Sequence, residues 1–153
     1  IKLKPLAASL FIALGTGGLS ALLTRDAMER YRELEQPPLS PPGWVFPVVW
    51  SALFVLMGVA AYLVWMRDST GRNGALALYG LQLALNFFWT WLFFVQFQYF
   101  SALICLVVLW LAILAMTLSF ARLSRAAAVL QLPYLVWVAF AGYLNWVVYR
   151  LNL

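Results

Sequence analysis

The sequence predicts an all-α membrane protein, a five-transmembrane-helix bundle with a short helix in the loop between helices 1 and 2. Composition is the first observation behind this prediction, because 65% of the 153 residues are hydrophobic and 10% are charged, whereas an average soluble domain has about 25% charged residues. The second is spacing, since apolar runs of about 20 residues, the length that crosses a hydrocarbon core about 30 Å thick, follow one another with short polar breaks. We therefore expect a single domain covering 1–153.

The five predicted spans cover about 5–24, 44–66, 74–95, 101–121 and 126–150. We expect each to be an α-helix, because lipid offers no hydrogen-bond partners and a helix satisfies its own backbone groups. An odd number of spans places the two ends of the chain on opposite sides of the membrane. Six Lys and Arg residues fall on the N-terminal side and four on the other, which favours a cytoplasmic N-terminus. We expect an integral multi-pass protein of the bacterial cell (inner) membrane.

Charged and metal-binding residues argue against several classes of function. The net charge is +5, but the cations lie at the ends of the spans rather than in one stripe, so we expect no nucleic acid as a partner. His is absent and the single cysteine, Cys105, lies inside an apolar run, so we expect no metal site and no cofactor. All acidic residues lie outside the spans, which argues against an ion-coupled pump.

The loop at about 25–43 is the one long connection between the predicted spans. Its first half, RDAMERYRELE, places Met28, Tyr31 and Leu34 at helical spacing, which predicts a short amphipathic helix at the membrane interface. The stretch that follows, QPPLSPPGWVFPVVW (36–50), contains five of the seven prolines. Since proline fixes φ and removes a backbone donor, we expect PPLSPP (37–42) to form a stiff, non-helical strap that ends as the second span begins and holds a lid above the helices.

Three spans contain polar and aromatic residues at helical spacing. They are Trp50, Phe54 and Met57 or Gly58 in the second span, Gln82, Asn86 and Thr90 with Trp89 beside them in the third, and Tyr134, Trp137, Ala141 and Asn145 in the fifth. Amides in hydrocarbon need partners, so these faces are expected to point into the bundle, either as interhelical hydrogen bonds alone or as the lining of a cavity. Trp50 and Trp137 lie too deep for an interfacial belt. Their position favours a site for a flat, largely apolar ligand beneath the loop.

The remaining spans contain weaker signals. Lys2 and Lys4 precede the first span as in a signal peptide, but the apolar run is long and lacks a clear cleavage site, so we expect a retained span. Small residues repeat every four positions there and once in the third span, and they favour close helix packing within one bundle or in a homodimer. These residues are Ala13, Gly17 and Ala21, then Gly80 and Ala84. The fourth span has little polarity and is expected to face lipid or a partner, and Pro133 is expected to kink the fifth helix.

Four stretches of this sequence match a known pattern. They are PPGWVFPVVW at 41–50, MGVAAYLVW at 57–65, QLALNFFW at 82–89 followed by FF at 93–94, and PYLVWVAFAGYLNWVVYR at 133–150. With these motifs the chain resembles the translocator protein family (TSPO, the peripheral benzodiazepine receptor), whose bacterial members are called tryptophan-rich sensory proteins. The resemblance covers essentially the whole chain.

The resemblance implies a five-helix bundle, usually dimeric, that binds tetrapyrroles such as protoporphyrin IX, steroids and benzodiazepine-type drugs under the loop between the first two helices. On the positions that match the motifs, it implies a ligand site made of Tyr31, Trp50, Phe54, Asn86, Trp89, Trp137, Ala141 and Leu144. Three departures affect ligand preference. Leu39 and Ser101 stand where the family's loop and its animal members, respectively, have Trp, and the sequence around Tyr149 and Arg150 does not meet the cholesterol-recognition pattern.

Together these features predict a membrane receptor or transport protein for protoporphyrin IX and similar flat ligands, held between Trp50 and Trp137. No catalytic residue is needed for that role. One alternative is light-dependent porphyrin degradation with Trp50 and Trp137 as redox-active residues. It has no independent support in the sequence, which lacks His, an intramembrane acid and an activated nucleophile. The other alternative is a sensory or scaffold protein whose loop contacts a partner when ligand is bound.

Overall fold

Five long helices make up the part of the protein that the structure describes. The computed structural model describes residues 2–25 and 44–152. Its helices are α1 (Leu3–Thr24), α2 (Val45–Trp65), α3 (Arg72–Thr90, extended by a π-helical turn at Trp91–Val95), α4 (Tyr99–Leu123) and α5 (Arg125–Leu151). Each of the five is long and apolar enough to cross a membrane. The predicted fold class, a five-helix transmembrane bundle, is therefore confirmed.

The predicted span boundaries lie within two residues of the observed helix ends. The predicted interfacial helix, the proline lid and Tyr31 fall in 26–43, outside the described residues. Pro47 is the third residue of α2, a position that tolerates proline because the first N–H groups of a helix have no intrahelical acceptor. Pro133 lies inside α5, which continues through it to Leu151.

The helices pack in the spatial order α1, α2, α5, α4, α3, and α3 closes the ring against α1. The helices α1 and α2 run in opposite directions, because the backbone N–H of Lys2 donates to Tyr62 Oη at 2.8 Å near the other end of α2. Short connections reverse the direction of each later helix. We call the end of the bundle where α1 ends and α2 begins the loop end, and the opposite end the N-terminal end.

The helix α4 is packed into the bundle along one side and exposed along the other, so the expectation that it faces lipid or a partner applies to one side only. Leu109, Ile113 and Phe120 are fully buried on that side, while Val107 and Leu111 are exposed on the other. A helix that is apolar on every face gives no sequence signal that separates the two sides, because lipid and protein interiors accept the same residues. The least buried helix is instead α1.

Small residues bring α1 and α2 close together. Ala13 is fully buried, and a Cβ atom added at Gly17 would lie 2.7 Å from Cδ2 of Phe54. A Cβ added at Gly58 would lie 3.0 Å from the backbone Cα of Leu10. The small-residue face of α1 is therefore used at least in part within the bundle, and the homodimer stays a prediction.

Candidate ligand-binding site

A cavity of about 260 Å³ opens in the half of the bundle nearest the loop end. The predicted ligand residues within the described ranges all line it. They are Trp50 and Phe54 from α2, Asn86 and Trp89 from α3, and Trp137, Ala141 and Leu144 from α5. The eighth predicted residue, Tyr31, lies outside the described residues. The described lining comes from α1, α2, α3 with its π turn, and α5. The predicted faces of three helices therefore meet at one cavity, and their role in ligand binding stays a prediction.

Aromatic rings form the main wall of the cavity, with Trp50 at the centre. Its ring centroid lies 5.9 Å from that of Phe54 and 6.3 Å from those of Trp89, Tyr134 and Trp137. Contacts of this kind, edge-on or tilted, stabilise a ring beyond its buried area by about 0.5–1.5 kcal/mol. The indole of Trp50 is therefore held in place on several sides.

The relation between Trp50 and Trp137 differs from the expectation that a flat ligand lies between them. The two rings meet edge to face, with an interplanar angle of 87° and centroids 6.3 Å apart. A planar guest between two parallel rings needs about 7 Å, since each carbon–carbon contact takes about 3.5 Å. Trp50 and Trp137 are therefore adjoining walls of the cavity rather than the two sides of a slot.

Hydrogen bonds across the interior join α3 to α5 behind this wall. Asn86 Nδ2 donates to Tyr134 Oη at 2.7 Å, and Tyr134 Oη donates to Gln82 Oε1 at 2.7 Å. Gln82 is fully buried and does not line the cavity, whereas Asn86 and Thr90 do. Both interpretations of the polar stripe therefore apply, because Gln82 only links helices while Asn86 and Thr90 also face the cavity.

A second interhelical hydrogen bond holds Trp89. Its indole Nε1 donates to Asn145 Oδ1 at 3.0 Å, and Asn145 Nδ2 donates to the Tyr99 carbonyl at 2.9 Å. Trp89 and Asn145 are both buried and both line the cavity. An amide at this position therefore fixes the ring orientation of the neighbouring wall.

The π-helical turn at the end of α3 brings two further aromatic rings to the cavity. Its wider turn is marked by the hydrogen bond from Gln96 N to the Trp91 carbonyl at 3.0 Å, five residues back. Phe93 and Phe94 both line the cavity, with ring centroids 4.8 Å apart. In a regular α-helix, adjacent residues point about 100° apart, so helical spacing alone does not assign both rings to the site.

Phe97 follows two residues after the turn and has a φ of 54°. This left-handed conformation is uncommon for a residue with a large side chain. It lets Gln98 N donate to the Leu92 carbonyl at 2.9 Å as α3 ends and α4 begins. Irregular backbone of this kind is found often beside functional sites.

Two lining side chains have a polar atom with no hydrogen-bond partner in the described part of the chain, Ser20 Oγ and Trp137 Nε1. Ser20 is 9% exposed. A buried donor without an acceptor costs about 1–3 kcal/mol, which a ligand acceptor would offset. Sequence reasoning missed Ser20, because it considered only the small residues of α1 and no aromatic or amide stripe marks that helix.

The described lining of the cavity is largely apolar. Within residues 2–25 and 44–152, Arg25 is the one ionisable side chain in the lining, and it lies at the end of α1. No group of three or more His, Cys, Asp or Glu residues that could hold a metal ion occurs in those ranges. What remains is an aromatic, largely apolar hollow with a cation at the loop end.

Several known proteins are similar to this chain over most of its length. A family model described as the TspO/MBR family matches residues 7–150. The tryptophan-rich protein TspO of Chlorobaculum tepidum is 38% identical over 147 residues, which cover 94% of this chain and 91% of that protein. The tryptophan-rich sensory protein of Cereibacter sphaeroides is 42% identical over 132 residues, covering 86% and 81%, and the translocator protein of Bos taurus is 36% identical over 140 residues, covering 89% and 83%. With five candidate membrane-spanning helices, this chain belongs to the TspO/MBR family of integral multi-pass membrane proteins.

Proposed function

We propose that this protein is a receptor or transport protein that binds flat, largely apolar ligands in the cavity at the loop end, with tetrapyrroles such as protoporphyrin IX as the principal class. The main support is the cavity wall of contacting aromatic rings around Trp50, close to a small number of oriented polar groups. Sites for small hydrophobic ligands have this composition. Benzodiazepine-type compounds fit the same chemistry.

The size of the cavity bears on which ligands enter it fully. Its volume of about 260 Å³ lies just below the roughly 300–1,000 Å³ of typical ligand sites. A compact drug-sized molecule needs a small adjustment, whereas a tetrapyrrole macrocycle extends beyond the hollow. The loop end is the direction that suits this extension, because Arg25 lines the cavity there and a guanidinium favours carboxylate substituents.

Apolar burial supplies the driving force in this proposal. Each Å² of apolar surface removed from water contributes about 25 cal/mol, and the sum is reduced by the cost of association. Trp137 Nε1 adds direction, because an unpartnered indole N–H in the wall favours ligands that place a carbonyl or ring nitrogen against it.

The test is equilibrium binding of protoporphyrin IX to the purified full-length protein in detergent, with and without the change of Trp50 and Trp137 to Phe. We expect the double variant to raise Kd roughly tenfold, since it loses about 1 kcal/mol from the indole hydrogen bond and some apolar contact area. The matched control changes Trp65 and Trp146 to Phe, because both are exposed at span ends. The proposal fails when both double variants bind as the unmodified protein does.

A further inference from the structure

The N-terminal half of the bundle contains a second polar layer that takes no part in the cavity. Gln131 of α5 is fully buried and Tyr79 of α3 is 6% exposed. Tyr79 Oη, Gln131 Nε2 and Gln131 Oε1 have no hydrogen-bond partner among the described residues. Buried polar atoms in folded proteins nearly always have partners, so three such atoms in one region require an explanation.

The positions of the two residues follow from the neighbouring layer. Tyr134 donates directly to Gln82 at 2.7 Å between α5 and α3. Tyr79 precedes Gln82 by three residues and Gln131 precedes Tyr134 by three, on helices that run in the same direction. Three residues correspond to a rise of about 4.5 Å on nearly the same face. Tyr79 and Gln131 therefore occupy the next layer of the same interior, one helical turn farther from the cavity.

Unlike the layer above, this one is not closed by a direct hydrogen bond. The amide of Gln131 offers a donor and an acceptor, and the hydroxyl of Tyr79 offers both. A water molecule is retained in a protein interior when two to four polar groups surround it. The two side chains together supply three such atoms, which is within the number of polar partners that a buried water needs, and neither carries a formal charge that would balance an ion.

We propose that this layer is a buried water site, in which at least one water molecule accepts from Gln131 Nε2, donates to Gln131 Oε1 and bonds to Tyr79 Oη. The ring of Phe120 packs beside Tyr79 at this layer, with the two ring centroids 6.5 Å apart. It extends the polar column of Asn86, Tyr134 and Gln82 by a further layer toward the N-terminal end. The inference is independent of the ligand proposed for the cavity.

The direct test is magnetisation transfer from water to side-chain amides by solid-state NMR on the full-length protein in lipid. We expect a cross-peak from water to the Gln131 side-chain amide, assigned by its disappearance in Gln131→Leu. The control is Gln82→Leu, the same change one layer away, which removes a hydrogen bond between protein atoms and should leave the Gln131 cross-peak in place. Absence of the cross-peak in the unmodified protein overturns the proposal.

Thermal stability gives a second measurement with opposite expected signs. With water present, Tyr79→Phe removes one of its partners and lowers Tm by about 2–4 °C, the shift expected for a modest loss in a domain of this size. Without water, the same change removes an unpartnered buried hydroxyl and raises Tm. A rise in Tm would therefore contradict the proposal, and this variant keeps the ring contact with Phe120 that Tyr79 makes.

Discussion

Bulky side chains are arranged differently in the two halves of this bundle. Near the loop end, large rings such as Trp50 and Trp89 surround a hollow, while near the N-terminal end Met116 and Phe120 are fully buried in the packed core. The difference is that contacts with neighbouring side chains hold the rings near the loop end in place. Trp89 is hydrogen-bonded to Asn145 and Trp50 touches four other rings, so neither can move inward without breaking these contacts. The cavity therefore persists where hydrogen bonds and ring contacts hold its aromatic walls in place.

The helix α1 contributes differently to the two halves. It is the least buried helix, with Ala13, Ser20 and Thr24 as its buried residues, and it presents small side chains to the cavity. Small residues leave space that aromatic residues on the other helices do not fill. The hollow therefore forms because the aromatic rings of α2, α3 and α5 are held in place and face the small side chains of α1.

The largest effect on ligand affinity is expected from filling the hollow at the loop end. Ala141 is 7% exposed and lines the cavity, so Ala141→Phe should place a ring in the space that the ligand needs. We expect the Kd for protoporphyrin IX to rise more than about tenfold, equivalent to about 1.4 kcal/mol, measured by equilibrium binding in detergent.

The control for this variant is Ala115→Phe, at an exposed position of α4, a helix that does not contribute to the described lining of the cavity. It should leave Kd unchanged, and Tm should show that both variants remain folded. Equal affinity in the two variants would mean that ligand binds outside this cavity.

Separating α1 from α2 is expected to lower the stability of the bundle rather than its affinity for ligand. Gly17→Ala places a methyl group 2.7 Å from the Phe54 ring, closer than van der Waals contact, so either that ring or helix α1 must shift. We expect a loss of about 1–3 kcal/mol in the free energy of unfolding, as for other overpacked cores. Unfolding by a denaturing detergent in mixed micelles measures this change.

Gly18 provides the matched control one position along the same helix, because a Cβ added there meets nothing within 4 Å. Gly18→Ala should be neutral or stabilising, since Ala is the better helix former by about 1 kcal/mol. Similar unfolding free energies for the two variants would show that α1 is not held against Phe54.

The smallest effect is expected from removing the hydrogen bond between Trp89 and Asn145. Asn145→Leu leaves the Trp89 indole N–H and the Tyr99 carbonyl without their partner. Interhelical hydrogen bonds in membranes contribute about 0.6 kcal/mol on average and up to about 1.7, so we expect a loss of about 1 kcal/mol by the same unfolding measurement. Asn73→Leu, at an exposed position, should leave the free energy of unfolding unchanged. An equal loss in both variants would show that the hydrogen bonds of Asn145 do not stabilise the bundle.

Much of the site was predictable because its residues recur at helical spacing. Asn86 and Trp89 share a face of α3, and Trp137 and Ala141 share a face of α5, whatever the helices pack against. Phe93 and Phe94 escaped prediction because a π turn is set by local hydrogen bonding that residue spacing does not reveal. The placement of α4 escaped for a different reason, since its residues are equally compatible with lipid and with protein.

The sequence by itself determined the number of helices, their ends and the faces that contain polar groups, because apolar length and periodicity act within one segment of chain. The tertiary structure alone decided which faces meet. The perpendicular contact of Trp50 with Trp137, the order of helices around the ring and the unpartnered atoms of Tyr79 and Gln131 all depend on packing between segments distant in sequence. In a bilayer, hydrophobicity does not rank such packings, so close fit and hydrogen bonding make the choice.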